Sequence, residues 1–248
     1  MDILTSGFIQ LLSLLAQLTG SLGLAILVFT FLIRSALIPL SLPTLKATKK
    51  MQDLQPEIAK LKKKHGKDKK ELQQAQMELY KKYNVNPLAG CIPQLLQFAV
   101  LIFLYKSLLS FLNDPSLTLS THFLWLNLTQ PDNSYILPVL AGATQLILSL
   151  MIAPGAEKND LVPNDSKSKK IQKENKKEED SAEMAQSMQQ QMMFIMPIMT
   201  GFFALKFPSG LALYWVATTV FSIGQQYYVS GWGGIVTYSR RLIEKFQK

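Results

Sequence analysis

Charge is nearly absent from four long stretches of this chain, and this feature limits its fold more than any other. Residues 3–45 contain Arg34 as their only charged residue, and 84–113, 115–156 and 184–239 contain one charged residue each. Charged residues make up 17% of the chain, against about 25% in soluble domains, so its apolar surface is too large for a water-soluble globule. The pattern is typical of a multi-span membrane protein with polar loops.

Five segments are apolar over roughly 20 residues, the length that a spanning helix needs. Turn residues separate them, most clearly Pro208, Ser209 and Gly210, which predict a tight turn between the last two. We therefore predict an all-α integral membrane fold. The five predicted transmembrane (TM) helices are TM1 at 19–43, TM2 at 87–112, TM3 at 135–154, TM4 at 186–206 and TM5 at 210–231.

The N-terminal segment 1–18 is apolar but too short for a span. On a helix its polar residues fall on one side and its apolar residues on the other. The polar side comprises Ser6, Gln10, Ser13 and Gln17, and the apolar side comprises Leu4, Phe8, Leu11, Leu15 and Leu18. We predict an amphipathic helix that lies in the interface at the outer face of the membrane. The alternative is a signal peptide, which needs a basic start, whereas this chain starts with Met1 and Asp2.

Basic residues mark one side of the membrane. The segments 44–86, 155–185 and 232–248 together hold 23 of the 26 lysines and arginines, and the segment 113–134 holds none. Cytoplasmic segments carry the excess of basic residues in membrane proteins. We therefore predict that the N-terminus lies outside and the C-terminus in the cytoplasm, with 113–134 as an outer loop and 232–248 as a basic cytoplasmic tail.

The segment 44–86 is predicted to form a cytoplasmic helical hairpin. Apolar residues recur every three or four positions on both sides of a turn at Gly66. They are Met51, Leu54, Ile58 and Leu61 in the first helix and Leu72, Ala75, Leu79 and Tyr83 in the second. The cytoplasmic loop 155–185 shows no such period, and we predict a disordered linker there.

The excess of lysines on this hairpin has two interpretations. Twelve lysines and five acidic residues leave the segment 46–83 with a net charge of +7. This charge could serve only solvation and membrane orientation, or it could contact anionic lipid, ribosomal RNA or a nascent chain. The candidate residues for substrate or ribosome contact are Lys60, Lys62, Lys63, Lys64, Arg240 and Arg241.

Arg34 needs an explanation because it lies inside TM1. An arginine near the centre of a membrane costs about 2.5–3.5 kcal/mol on insertion scales. No predicted span contains an aspartate or glutamate that could pair with it. The structural explanation is partial snorkelling towards the cytoplasmic surface. The functional explanation is a wet, polar cavity between the helices.

Polar residues that could line such a cavity form stripes on four spans. For each of them, interhelical hydrogen bonding is the alternative role. The stripes comprise Thr30 beside Arg34 in TM1, Gln94 and Gln97 in TM2, Gln145 and Ser149 in TM3, and Tyr214, Thr218, Ser222 and Gln225 in TM5.

Residues for common catalytic chemistry are missing from the spans. His65 and His122 both lie outside them, which excludes an intramembrane Ser–His pair. The sequence contains no HExxH motif, no Walker A motif and no cluster of cysteine and histidine. We predict that the protein is not an enzyme and that it holds no cofactor and no metal.

Several motifs, in order along the chain, resemble those of the YidC/Oxa/Alb family of membrane protein insertases. One is the stretch 28–40 around Arg34, and another is Phe207-Pro-Ser-Gly-Leu-Ala-Leu-Tyr-Trp215 at the entry to TM5. The others are 51–58 and 78–93 in the hairpin and TM2, and 123–128 in the outer loop. The chain is similar to short bacterial members without the large periplasmic domain.

The resemblance implies five core helices around a hydrophilic groove that opens to the cytoplasm and lipid and is closed outside. It assigns Arg34 as the groove arginine and adds Gln145, Tyr214 and Trp215 as groove residues. Members of the family insert integral membrane proteins and help them to fold without ATP, alone or beside the Sec translocon. The implied partners are nascent membrane proteins, the Sec translocon, the ribosome, the signal recognition machinery and anionic lipids, and the implied location is the bacterial plasma membrane.

Two other classes of protein fit parts of the sequence. In a small-solute transporter or channel, Arg34 would bind a small anion, but such proteins commonly show an internal repeat, which this sequence lacks. In a non-catalytic assembly scaffold, substitutions of the groove residues would be silent. The short basic tail weakens the expectation that the chain binds ribosomes by itself.

Overall fold

The structure is a computed structural model, and it describes residues 3–65, 69–85, 92–113, 120–153 and 195–236. Within these ranges, the side chains of Lys62 and Lys63 are not described, and neither are those of residues 3–5, 69, 70, 73, 92–96 (with the predicted Gln94) and 110–113. The predicted linker 155–185 and the tail residues Arg240 and Arg241 lie outside the described residues.

The described residues are mostly helical. The helices are α1 Ile3–Thr19, α2 Leu22–Ala36, α3 Ile38–Asp53, α4 Gln55–His65, α5 Lys69–Lys82, α6 Ile92–Asn113, α7 Ile136–Ile152, α8 Ile195–Ala204 and α9 Ser209–Ser230. Two short strands, β1 His122–Phe123 and β2 Leu126–Asn127, pair antiparallel between α6 and α7.

The predicted single helix over 19–43 is broken near its middle. Helix α2 ends at Ala36, and α3 begins at Ile38 after a bend of 67°. Pro39 lies in the first turn of α3, where it has no N–H to donate and its ring clashes with the carbonyl group of Ser35 in a continuous helix. The chain therefore turns at Leu37, and α3 runs from the bend into the hairpin that the sequence predicts to be cytoplasmic.

The lengths of the individual helices do not establish the five predicted spans. Within the described ranges, no helix taken alone is both long and apolar enough to cross a membrane. The bent pair of α2 and α3 passes this test when the two are taken together. Apolar stretches of 10–17 residues occur in α1, α6, α7 and α8. The number of spans and their bounds stay predictions.

The main core joins α1, α2, α6, α7, α8 and α9 with the outer hairpin of β1 and β2. Helix α1 contributes Leu12, Leu15 and Ala16 to this core, so it packs on the bundle. Leu18, placed by the sequence on the same apolar face, is instead 74% exposed. The packing face of α1 is thus rotated from the predicted stripe, because it must meet both α2 and α6.

The outer hairpin is fastened to the start of α9. The N–H of Ser209 donates to the carbonyl of Gln130 at 2.7 Å, and the N–H of Gly210 donates to the carbonyl of Leu128 at 3.0 Å. The hairpin also packs on α2 at Gly23, where any Cβ would overlap the ring of Phe123. The predicted outer loop is therefore a folded cover over one end of the bundle.

Helices α7 and α8 cross at two glycines. A Cβ added to Gly142 would lie 3.8 Å from the Cα of Gly201 and 3.4 Å from the carbonyl oxygen of Pro197. Small residues at such a crossing let two backbones approach closely. The contact also sets the rotation of α7, because the face that carries Gly142 must point to α8.

The cytoplasmic hairpin has its own small core, separate from that of the bundle. It contains Met51, Leu54 and Ile58, as the sequence predicts, with Leu79 packed against them. Val85 and Tyr80 complete it, whereas the predicted Tyr83 lies mostly in solvent and donates a hydrogen bond to the carboxylate of Glu57 at 2.9 Å. The hairpin begins within α3, since Met51 belongs to that helix.

Side chains from α3 cover the ends of two core helices. The Nε2 of Gln52 donates to the carbonyl oxygens of Met151 at 2.7 Å and Ile152 at 2.8 Å, at the C-terminus of α7. The Nζ of Lys49 donates to the carbonyl of Val229 at 3.0 Å near the end of α9. Terminal carbonyls of a helix have no partner within it, so these contacts anchor α3 across the bundle.

Candidate functional site

Arg34 lies in the last turn of α2, and its side chain reaches across to α6 and α9. Its Nη2 donates a short hydrogen bond to Oε1 of Gln97. Its Nε lies 3.4 Å from Oγ1 of Thr218. Tyr214 lies close enough to interact electrostatically with the guanidinium and with Gln97 and Thr218. Four residues that the sequence predicted for the groove are thus brought together.

A small open cavity adjoins this group. Helix α2 contributes one wall, and α3, α6 and α9 contribute the others. The lining residues are Ile33, Arg34, Leu37, Leu40, Ser41, Thr44, Gln97, Val100, Tyr214 and Gln225. The cavity combines apolar walls with several hydroxyl and amide groups.

The positive charge in this cavity has only neutral partners among the described residues. Gln97 and Thr218 accept its hydrogen bonds, and α2, α6, α7 and α9 contain no acidic residue. Arginine carries five N–H donors and no acceptor. The two bonds leave donors of the guanidinium available to a ligand, so the arrangement can bind an acceptor or an anion.

The bend at Leu37 brings polar groups of α3 to the cavity that the sequence analysis did not select. Ser41 and Thr44 line it, and the Nε2 of Gln225 donates to Oγ of Ser41 at 3.3 Å. The predicted TM1 ended at residue 43, so it included Ser41 but excluded Thr44 and the rest of α3. The spacing in the sequence could have indicated that α3 contributes polar groups, because Arg34, Ser41 and Thr48 follow each other at intervals of seven residues and share a helix face.

Other predicted groove residues do not line this cavity. Thr30 is only 2% exposed, and its hydroxyl donates to the carbonyl of Ile26 in the same helix at 2.6 Å. Trp215 is buried next to Tyr214 on a different face of α9. Gln145 and Ser149 are half-buried on α7 and are also absent from the lining.

The α7–α8 crossing explains the position of Gln145 and Ser149. They lie three and seven residues after Gly142, which places all three on one face of α7. Gly142 packs on α8, so Gln145 and Ser149 lie on the face of α7 that carries this crossing, and neither lines the cavity beside Arg34. Sequence spacing shows which residues share a face, but it does not show which neighbour the face meets.

The predicted contact lysines are partly described. Lys60 and Lys64 lie on α4 and are exposed. Within the described ranges, no group of three or more His, Cys, Asp or Glu residues is arranged to hold a metal ion. The only charged residue that lines the cavity is Arg34.

A helical bundle with a positively charged polar cavity between its helices is the class of architecture that these observations define. The model of the family described as 60Kd inner membrane protein matches residues 14–233. The chain belongs to this family of membrane proteins, which confirms the resemblance stated from its motifs.

Curated relatives in this family are named insertases. The chain is 39% identical over 229 residues to the membrane protein insertase MisCA of Bacillus subtilis, covering 90% of this chain and 76% of the relative. It is 34% identical over 219 residues to the membrane protein insertase YidC of Fusobacterium nucleatum, covering 88% of this chain and 91% of the relative.

A solved structure shares the fold. The crystal structure of an active YidC insertase with its first transmembrane domain resolved superposes with a TM-score of 0.66 at 24% sequence identity. The match covers 92% of this chain and 46% of that chain. The architecture described above is therefore that of a known insertase fold.

Proposed function

We propose that this protein is a membrane protein insertase that transfers polar flanks of its substrates through the cavity around Arg34. The observation that carries the proposal is a half-buried guanidinium that has neutral hydrogen-bond partners and further N–H donors unused among the described residues. The names of the curated relatives and the shared fold support the general activity.

The physical task is to bring a polar segment past the hydrocarbon core. An unsatisfied polar group in that region costs several kcal/mol. Side chains of Ser41, Thr44 and Gln225 offer such a segment hydrogen bonds in place of water. Arg34 adds attraction for acidic residues in the segment. The adjoining apolar segment then partitions into the lipid, which drives release without a nucleotide.

The charge distribution supports an orientation for this activity. The N-terminus lies outside and the C-terminus lies in the cytoplasm of a bacterial plasma membrane, because 23 of the 26 basic residues fall in three segments on one side. The outer hairpin of β1 and β2 covers the end of the bundle opposite to the cytoplasmic hairpin. A groove closed outside and open to the cytoplasm fits this arrangement.

The cytoplasmic hairpin is proposed to receive the substrate. Lys60 and Lys64 present positive charge on its surface, where a nascent membrane protein, anionic lipid or ribosomal RNA could bind. The Sec translocon, the ribosome and the signal recognition machinery are proposed partners. Their contacts would involve this hairpin and the basic tail.

The test uses proteoliposomes that contain only this protein. A single-span substrate with an acidic translocated flank should become protease-protected with the wild-type chain. Arg34→Ala should reduce this insertion, while Arg34→Lys should retain it if charge alone matters. Normal insertion of all acidic-flank substrates by Arg34→Ala would contradict the role of the charge.

The same vesicles test the other classes of function. Flux of a small anion without any insertion of the substrate would identify a transporter instead. Insertion that is unaffected by any substitution lining the cavity would leave the protein as an assembly scaffold.

A further inference from the structure

Gln97 differs from the other amide that lines the cavity. Its Oε1 accepts the hydrogen bond from Nη2 of Arg34, but its Nε2 is buried and has no hydrogen-bond partner among the described residues. Gln225, by contrast, uses its Nε2 to bond Ser41. Gln97 therefore brings a donor to the cavity wall that no described residue accepts within hydrogen-bond distance, although Tyr214 lies beside it.

The hydrogen-bond chemistry of Arg34 and Gln97 prevents the side-chain amide of Gln97 from flipping. A guanidinium can only donate hydrogen bonds, so the amide must present its oxygen to Arg34. The amide nitrogen and its two hydrogens then point away from that bond. A rotation that found a partner for Nε2 on another side would give up the bond to Arg34. The unused donor is a consequence of holding the arginine.

Two kinds of donor therefore lie side by side: the remaining N–H groups of Arg34 and the Nε2 of Gln97. A carboxylate matches this pair, because its two oxygens accept several hydrogen bonds and its charge is attracted to the guanidinium. A neutral amide flank offers one acceptor oxygen and no charge. A basic flank is repelled by Arg34 and offers no acceptor.

We infer that Gln97 determines the preference of this groove for acidic flanks, by holding the guanidinium through its oxygen and donating to the substrate carboxylate through its nitrogen. This inference rests on the proposed function, since it needs a substrate flank in the cavity. Gln97 is then a second residue that recognises the substrate flank, in addition to Arg34.

The test compares two substrates that differ only by aspartate or asparagine in the translocated flank. Insertion of both is measured by protease protection in proteoliposomes of the full chain. With the wild-type chain the aspartate substrate should insert faster. Gln97→Met keeps the length of the side chain and removes both polar atoms. It should slow the aspartate substrate by about tenfold, the scale of one hydrogen bond to a charged group, and slow the asparagine substrate much less.

A second variant reverses the chemistry at the same position. In Gln97→Glu the carboxylate pairs with Arg34, so the charge is neutralised and the donor is lost. The aspartate substrate should then insert more slowly than with Gln97→Met. The matched control is Gln10→Met on the exposed side of α1, which should leave both insertion rates unchanged.

The outcomes separate this inference from the proposed function. If the wild-type chain does not insert either substrate, or if Arg34→Ala keeps the preference for aspartate, the proposed function fails. If Arg34→Ala loses the preference while Gln97→Met keeps it, only the inference about Gln97 is wrong. Equal slowing of both substrates by Gln97→Met would also overturn it, because that result indicates a purely structural role.

Discussion

Of the four charged residues that stand alone in apolar stretches of this chain, Asp132 and Arg34 have opposite surroundings. Asp132 is 6% exposed near the start of α7, and local groups surround its carboxylate. It accepts hydrogen bonds from the N–H of Ser134 at 2.9 Å, from its hydroxyl at 2.5 Å, and from the N–H of Leu137 at 2.8 Å. Arg34 reaches instead to two distant helices and keeps donors unused.

The difference separates a structural charge from a functional one. The carboxylate of Asp132 satisfies backbone donors at the beginning of a helix, where negative charge is favoured. The guanidinium of Arg34 faces a cavity in which the described part of the chain supplies no counter-charge. A lone charge in a sequence does not show which case applies, because the partners of Arg34 are 63 and 184 residues away along the chain.

The strongest test of this comparison is Arg34→Met. We expect insertion of acidic-flank substrates to fall by at least about tenfold, since a charge-assisted hydrogen bond is lost. The thermal stability in detergent should stay the same or rise, because an apolar residue of similar size often replaces a buried charge without loss. Proteoliposome insertion and a melting curve measure the two effects. A large drop in the melting temperature would place Arg34 with the structural charges.

Asp132→Ala should give the reverse result. It removes the acceptor for the N–H groups at the start of α7, which costs about 2 kcal/mol. For a chain of this size, that corresponds to a decrease of about 4–8 °C in the melting temperature. Insertion at a temperature well below the transition should be nearly normal. An unchanged melting temperature would show that the hydrogen bonds of Asp132 contribute nothing to stability.

A substitution at the other end of α7 is expected to cause a smaller loss of stability. Gln52→Met removes two hydrogen bonds to terminal carbonyl groups and should lower stability by about 1 kcal/mol. Gln55→Met is the matched control, because the Nε2 of Gln55 bonds only a carbonyl one turn back, at 3.3 Å. Melting curves of both variants should show a decrease for the first alone. Equal decreases would mean that α3 is not anchored through Gln52.

The smallest expected effect is the contribution of Asp132 to the pH dependence of stability. Burial by itself raises the pKa of this carboxyl group, but hydrogen bonds from the hydroxyl of Ser134 and from the N–H groups of Leu137, Ser134 and Ile136 outweigh it, so the pKa lies below its ordinary value of 3.8. The stabilisation is therefore present above pH 3.8 and is lost as the pH falls through the lowered pKa.

The loss on acidification should be smaller than that in Asp132→Ala, since a protonated carboxyl group still accepts hydrogen bonds through one oxygen. Melting temperatures from pH 6 down to pH 3 measure it. In the Asp132→Asn variant, the melting temperature should fall less steeply with decreasing pH below pH 4. The same slope in both proteins would assign the acid sensitivity to other carboxylates.

Much of the architecture could be read from periodicity and charge. The core of the cytoplasmic hairpin was predicted through Met51, Leu54 and Ile58, because a seam of 3–4 spacing has one partner helix available next to it. The grouping of Arg34 with polar residues of α6 and α9 was also predicted. Since no span contains an acidic partner, the charge of Arg34 could be hydrogen-bonded only by polar residues of neighbouring helices that face it inside the bundle.

Other features depend on long-range packing. The bend at Leu37 turned Ser41 and Thr44 into cavity residues, although the proline that causes it was visible in the sequence. The crossing of Gly142 with Gly201 belongs to the same face of α7 as Gln145 and Ser149, and neither of these two residues lines the cavity. The covering of the α7 terminus by Gln52 joins residues that are about 100 positions apart, and local pattern carries no information on such pairs.

The sequence by itself indicated a membrane protein and marked Arg34 as an exceptional charge, and its motifs resembled those of the insertase family. The first two follow from the energetics of charge in an apolar medium, which act on each residue separately. The tertiary structure decided which polar residues surround that charge and which side-chain amide has a hydrogen-bond donor without a partner among the described residues. Those properties depend on the rotation and bending of whole helices, and only the packing of helix against helix determines them.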